Sequence, residues 1–315
     1  MSCRLLANRN GLGLCLGGIL LVWAAFTAGC GGAQPEAAAP STAGSAHDEQ
    51  PAAQDDKVSL DSLKKRLSAG LEGASELNLA AKGLGPALGP LLAQSATIAS
   101  LTTLDVSDNA LGVEGTRALA GSPHLSGVRD LDLGGNDLGD DGAEAIAHAA
   151  ALSDLETLNV SGNSIAARGT SALIRGSSTH INSLDLSMNG IGSAGLSALA
   201  HGHLPLKSLY LLGCEIGPSG AKELAQSKGL GALEVLALSG NNLGDDGAQA
   251  LAKSTTLKNL TTLDLCANGI GDVGALALAQ SAQLKKLKVL ELFGNDIGSR
   301  GSAALRKRFG SGLHL

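Results

Sequence analysis

From Leu101 onward, apolar and polar positions recur with one spacing. Leu101-x-x-Leu104-x-Val106-x-x-Asn109-x-Leu111-Gly112 returns as Val128-x-x-Leu131-x-Leu133-x-x-Asn136-x-Leu138-Gly139, and the Asn position is met again at Asn163, Asn189, Cys214, Asn241, Asn268 and Asn295. The steps are 27, 27, 26, 25, 27, 27 and 27 residues, which makes eight full copies. Alternation within each copy predicts a short strand with two side chains turned inward. The Asn predicts a bend, where a buried amide serves backbone groups of neighbouring turns. A glycine column running from Gly115 through Gly142 to Gly301 opens segments such as Gly247-Ala248-Gln249-Ala250-Leu251-Ala252, which favour a helix lying close to the sheet. One strand and one helix per copy predict a stack whose strands form a single parallel sheet.

This pattern resembles the leucine-rich repeat, and its length and internal glycines place it near the ribonuclease-inhibitor-like subclass, which includes Ran GTPase-activating proteins. The resemblance runs from Leu71 to Leu315, with Cys214 at a position where that family accepts Asn or Cys. It implies an α/β solenoid, a curved horseshoe with a parallel sheet on its concave face and helices on its convex face. It also implies binding through that curved face. Four segments are expected: 1–29, 30–56, 57–100 and 101–315. In the third, Leu60, Leu63 and Leu67 mark an amphipathic cap helix, and Leu77-Asn78-Leu79 is a degenerate copy with Lys82 where Asn is expected. Gly312-Leu313-His314-Leu315 restates the start of a strand, so a half-repeat cap and a complete chain are expected. Cys214 lacks an amide's paired donor and acceptor, so the stack is expected to be weakest there.

Counting with period two, the residues between the inward pair face the concave side. They are Asp105, Asp132, Asn159, Asp185, Tyr210, Ala237, Asp264 and Glu291. Five of the eight are acidic and none is basic, and carboxylates about 5 Å apart repel by roughly 0.8 kcal/mol in water before salt screening. The fold is expected to gain nothing from that repulsion, which points to a cationic partner. Repeat vocabulary inherited by duplication is the competing explanation. Tyr210, Leu212 and Ala237 interrupt the acids with an apolar break, and Phe293 follows Glu291 on the same side. Aromatic anchors inside a polar rim are what binding surfaces use.

The N-terminus adds an address. Arg4 and Arg9, the apolar stretch Gly11 to Phe26, and Thr27-Ala28-Gly29-Cys30 have the three parts of an export signal. Its ending resembles the bacterial lipobox, with Thr27 where Leu is usual, which implies cleavage before Cys30 and lipidation of that residue. A transmembrane anchor with a coincidental Cys is the alternative. Gly31 after the Cys favours the outer membrane where there are two. Residues 30–56, rich in Ala, Gly, Pro, Gln and Ser, are expected to be a disordered tether reaching about 25–30 Å.

Composition narrows the chemistry. The chain holds 23 Lys and Arg against 29 Asp and Glu, and loss of residues 1–29 leaves 21 against 29, a net charge of −8. That disfavours a nucleic-acid partner. No nucleotide-binding loop, nucleophile elbow or zinc spacing is present, so no catalytic residue and no cofactor are expected. His180, His201 and His203 in adjacent return loops are weighed as a zinc or copper site and set aside as solvated residues. Asp140-Asp141 and Asp245-Asp246, just before two helices, are read as caps rather than metal ligands. Arg306, Lys307 and Arg308 suit the last helix's C-terminal dipole. Cys214 and Cys266, two strand steps apart, are expected to be free thiols. The function expected is that of a lipid-anchored, monomeric envelope module binding a protein or peptide with basic groups. The alternatives are a GTPase-activator-like regulator and a structural or glycan-binding envelope protein.

Overall fold

The computed structural model of the chain describes residues 58–315. The expected export signal, Cys30 and the expected tether all fall outside the described residues. Helix α1 (Leu60–Ala69) opens with a reciprocal Ser59/Ser62 capping box and buries Leu63 and Leu67. The expected cap helix is therefore present. No helix among the described residues is long and apolar enough to cross a membrane.

Ten three- or two-residue strands follow in strict alternation with helices. The strands are β1 (Glu76–Asn78), β2 (Thr103–Asp105), β3 (Asp130–Asp132), β4 (Thr157–Asn159), β5 (Ser183–Asp185), β6 (Ser208–Tyr210), β7 (Val235–Ala237), β8 (Thr262–Asp264), β9 (Val289–Glu291) and β10 (Leu313–His314). Between them lie α2 (Leu88–Ala93), α3 (Gly112–Ala120), α4 (Gly139–Ala147), α5 (Ala167–Arg175), α6 (Gly192–Ala200), α7 (Gly217–Gln226), α8 (Gly244–Ala252), α9 (Asp272–Gln280) and α10 (Ser299–Phe309). All strands pair in parallel and in chain order within one sheet. The degenerate copy supplies β1 and the final half-repeat supplies β10, so both outer segments extend the same ladder.

The register follows from the leucine spacing. Leu77, Leu104, Leu131, Leu158, Leu184, Leu209, Leu236, Leu263 and Leu290 stand opposite one another and are all buried. Each such leucine contributes about 2 kcal/mol by leaving water. No single repeat could bury its own set, so the stack is the smallest stable unit.

The buried Asn joins the turns. Asn136 Oδ1 accepts the Asn109 and Leu111 N–H groups at 3.1 and 3.2 Å, while Nδ2 donates to the Val106, Leu133 and Gly134 carbonyls. Asn163, Asn189, Asn241, Asn268 and Asn295 repeat the scheme. Cys214 keeps half of it. Its thiol donates to the Leu186 carbonyl at 3.2 Å, and burial pushes its pKa up to about 12, so it stays protonated. On the acceptor side, the Asn189 N–H faces only a weakly accepting sulfur, and the Ile191 N–H turns to the Asn189 carbonyl at 2.9 Å.

Helix ends are also capped across repeats, which corrects the local reading of the Asp pairs. Asp140 and Asp245 sit inside the first turns of α4 and α8, where neither helix has a side-chain cap of its own. Their Oδ1 atoms reach the next repeat. Asp140 accepts from Ala166 and Gly169 N–H, Asp245 from Gly271 and Gly274 N–H, and Asp272 from Gly301 N–H, all at 2.8–2.9 Å. Helices capped this way begin from extended backbone at Ala166, Gly271 and Gly298, whereas the uncapped entries at Gly112, Gly139, Gly192, Gly217 and Gly244 have φ of 55–64°. Ala166 can stand in a second glycine column, otherwise Gly112, Gly139, Gly192, Gly217, Gly244, Gly271 and Gly298, because the cap removes the need for a left-handed residue. At the other helix ends, the Ser122, Ser227, Ser254 and Ser281 hydroxyls donate to the Ala93, Ala200, Ala225 and Ala252 carbonyls of the preceding repeat. Arg308 likewise turns from its own helix to the Leu278, Ala279, Ser281 and Leu284 carbonyls, at and beyond the end of α9.

Asp245→Ala should therefore lower stability by about 1–2 kcal/mol, or roughly 2–8 °C in Tm. Asp246→Ala, whose carboxylate meets only the exposed Lys222 at 3.7 Å, should leave Tm nearly unchanged in the same thermal melt.

Candidate functional site

The concave face carries the residues expected there, in unbroken register. Asn78, Asp105, Asp132, Asn159, Asp185, Tyr210, Ala237, Asp264, Glu291 and His314 succeed one another across the sheet. From Asp105 to Glu291 all are half-buried. Two members were not read from the sequence: Asn78 begins the row, and His314 ends it with Nδ1 3.4 Å from Glu291 Oε1. The first residue of each strand shares the face, adding Glu76 and Asp130 to the acids. Period two marks those positions as clearly as it marks the central row.

The carboxylates have a local task that the sequence reading did not assign to them. Asp105 Oδ1 accepts the Ser107 N–H at 3.0 Å and its hydroxyl at 2.7 Å. Asp132 accepts the Gly134 N–H, Asp185 the Ser187 N–H and Asp264 the Cys266 N–H, at 2.8–2.9 Å. Each acid caps the amide two residues on, where the strand turns into the Asn bend. Asn78 and Asn159 make the same bond as neutral amides, to the Ala80 and Ser161 N–H groups. The turn thus requires an oxygen and does not require a charge.

Charge has a cost here. Burial pushes the Asp132 carboxyl up to about 6, opposed by hydrogen bonds from Gly134 and Asn159 and reinforced by the charges of Asp105 and Asp185. Burial also raises Asp185, against the bonds from Ser187.

The apolar break is a small surface of its own. Tyr210 is half-buried between Asp185 and Ala237, and burial followed by the Asp185 charge raises its phenol. Leu212 lies two residues on, its N–H held by the Ser187 hydroxyl at 3.1 Å. Met188 is 49% exposed, and its sulfur lies over Gly213, where an added Cβ would be only 2.9 Å away. Sequence reading missed Met188 because the Asn bend had no concave position assigned to it. Phe293 is 61% exposed at the far end of the face, following Glu291 as Cys266 follows Asp264.

The remaining candidates fall elsewhere. Among the described residues no group of His, Cys, Asp and Glu is arranged to hold a metal. His180 and His201 are exposed and hydrogen-bond to the Ser153 and Ser197 carbonyls. Cys214 and Cys266 are free, and burial raises both thiols. An open cleft of about 780 Å³ lies on the helical side, lined in part by Arg117, Asp141, Glu144 and His148. It shares no residue with the acidic row.

The repeat family is shown directly. The leucine-rich repeat family matches at residues 98–120, 126–147, 151–173, 177–200, 203–225, 233–252, 256–279 and 283–305, more than half of the chain, and the chain belongs to that family. Its architecture provides an extended curved surface for protein–protein interaction. No curated protein matches the chain. Among solved structures, an internalin from Listeria monocytogenes is similar at 21% identity and a TM-score of 0.46, over 74% of this chain and 64% of the internalin's length.

The raised Asp132 carboxyl sets a pH dependence. The folded state binds this proton more tightly than an unfolded carboxyl at 3.8, so the associated stability is complete below 3.8 and lost as pH rises through about 6. Asp132→Asn keeps an oxygen for the Gly134 N–H. It should raise stability at pH 7.5 by about 1–2 kcal/mol after allowance for solvent screening, and in thermal melts the gain should shrink as pH falls through about 6 and be gone below 3.8.

Proposed function

We propose that the chain is a non-enzymatic recognition module, held to the bacterial cell envelope by a lipid on Cys30, whose concave sheet binds a protein or peptide bearing basic groups. The observation that carries the reading is the acidic row itself. Asn serves the strand turn as well as Asp does, and yet four turns carry a carboxylate and one of these is held near a pKa of 6. A Lys or Arg group arriving between Asp105, Asp132 and Asp185 offsets the repulsion among them and favours the charged form of Asp132. Tyr210, Leu212 and Met188 supply an apolar contact inside the acidic rim, the arrangement in which anchor residues bind. Repeat length and the two glycine columns support the ribonuclease-inhibitor-like subclass.

The address rests on Arg4, Arg9, the Gly11–Phe26 stretch and Thr27-Ala28-Gly29-Cys30. With Gly31 next, the outer membrane is the favoured destination where two membranes exist, and the module acts there as a monomer.

Two measurements test the two halves of the reading. Intact mass and membrane fractionation should show a lipidated chain beginning at Cys30 and a Cys30→Ser variant that is neither cleaved nor lipidated; an unprocessed cytosolic wild-type chain would overturn the address. Titration with an Arg-rich peptide should give saturable binding that weakens at least tenfold in Asp185→Asn/Tyr210→Ala while Tm holds. Unchanged affinity would move the site off this face.

A further inference from the structure

The charges of the last repeats are sorted by edge. After residue 247 the only acids are Asp264, Asp272, Glu291 and Asp296. Asp264 and Glu291 face the concave side, while Asp272 opens α9 and Asp296 lies in the bend that leads to α10. All four therefore belong to the concave side or to the edge where strands end and helices begin. Eight of the nine Lys and Arg residues of this stretch collect at the opposite edge, where helices end and strands begin; the exception is Arg300, exposed in the first turn of α10. Lys253 follows α8, Lys258 stands in the next return loop, Lys285, Lys286 and Lys288 occupy the loop before β9, and Lys307 lies in the last turn of α10. All six are exposed, as is Arg306.

Cross-repeat bonds bring these loops together. Lys286 Nζ donates to Asn259 Oδ1 of the preceding loop at 2.8 Å, and Arg308 ties the end of α10 to carbonyls from Leu278 to Leu284. Among the described residues none of the six lysines has an ion-pair partner. Capping of the helix C-termini does not account for them, because Ser254, Ser281 and Arg308 already do that work.

We propose that this edge is a docking surface for an anionic lipid bilayer. It is a corner of unpaired cations on long, flexible stems, without an aromatic platform on which bases would stack, since Tyr210 and Phe293 lie on the concave side and Phe309 is covered by Arg308. Such a surface matches a plane of phosphate headgroups, where each basic residue near the membrane is worth about fivefold in binding. The corner also lies at the far end of the solenoid from Val58, where the described residues begin, about 40 Å along the sheet from β1 at about 4.8 Å per strand. Together with the lipid anchor proposed above, on which this orientation rests, the corner gives two attachments at opposite ends, and the last repeats lie on their helix-C-terminal edge with the concave face accessible from the side.

The test is lysine acylation footprinting of the full chain in neutral phosphatidylcholine vesicles and in vesicles containing phosphatidylglycerol. Lys253, Lys258, Lys285, Lys286, Lys288 and Lys307 should be labelled at least fivefold more slowly in the anionic vesicles, and high salt should remove the difference. Lys82 and Lys222 should label alike in both. Lys285→Gln/Lys286→Gln/Lys288→Gln, whose Tm should match the wild type, should lose the protection at Lys253 and Lys307. Equal labelling in the two vesicle types would overturn the proposal, as would equal protection by millimolar inorganic phosphate or by duplex DNA in detergent. Flotation with neutral vesicles reads the N-terminal anchor separately. Flotation with anionic vesicles alone would sink the anchor and leave the edge standing, and flotation with neither would sink both.

Discussion

The structure depends on one buried side chain repeated in register. A three-residue strand cannot satisfy the bend that follows it, and a bend buried between two neighbouring turns has no water to turn to. The Asn amide supplies both acceptor and donor at that point, receiving two N–H groups from the preceding repeat and giving its own to carbonyls of that repeat and of its own bend. Leucine burial supplies the drive to stack, but it is indifferent to which residue follows the strand. The amide fixes the spacing of the turns and so aligns the outward residues into continuous rows.

Parallel stacking creates a second demand. Every helix points the same way, so free N–H groups accumulate along one edge and free carbonyls along the other. The chain meets this across repeats, with Asp140, Asp245 and Asp272 on one side and serine hydroxyls and Arg308 on the other. Capping the neighbour adds to the coupling between repeats and makes stability a property of interfaces. In the last repeats the acids keep to the concave side and the helix-start edge while the lysines gather at the other, from which the membrane-facing edge is inferred.

Much of this was legible beforehand, because period two and a 27-residue step are local statements that a sequence carries openly. The inward leucines, the Asn bend, the cap helix at Leu63 and Leu67, and the concave row from Asp105 to Glu291 follow from them. What stayed hidden depends on contacts one repeat away. Asp140 next to Asp141 looks like a local cap, and nothing in its neighbourhood announces that its partner is Gly169. The lone Ala166 among glycines looks like drift until Asp140 is seen to remove the need for a left-handed residue. The acids' task at the turn stayed out of sight because their bonds to the amide two residues on need a bend whose geometry the sequence does not spell out. The exposed Met188 escaped for the same reason.

Cys214 is the natural break in the amide ladder, so hydrogen exchange around it tests the central claim most directly. The Asn189 and Ile191 amides, which face sulfur or turn back on their own strand exit, should exchange at least tenfold faster than Asn163 and Ile165, whose N–H groups reach Asn189 Oδ1 at 3.0 and 2.9 Å. Cys214→Asn should close most of that gap. Equal protection at the two bends, unaltered by the substitution, would show that leucine burial alone holds the turns together and that the amide is incidental.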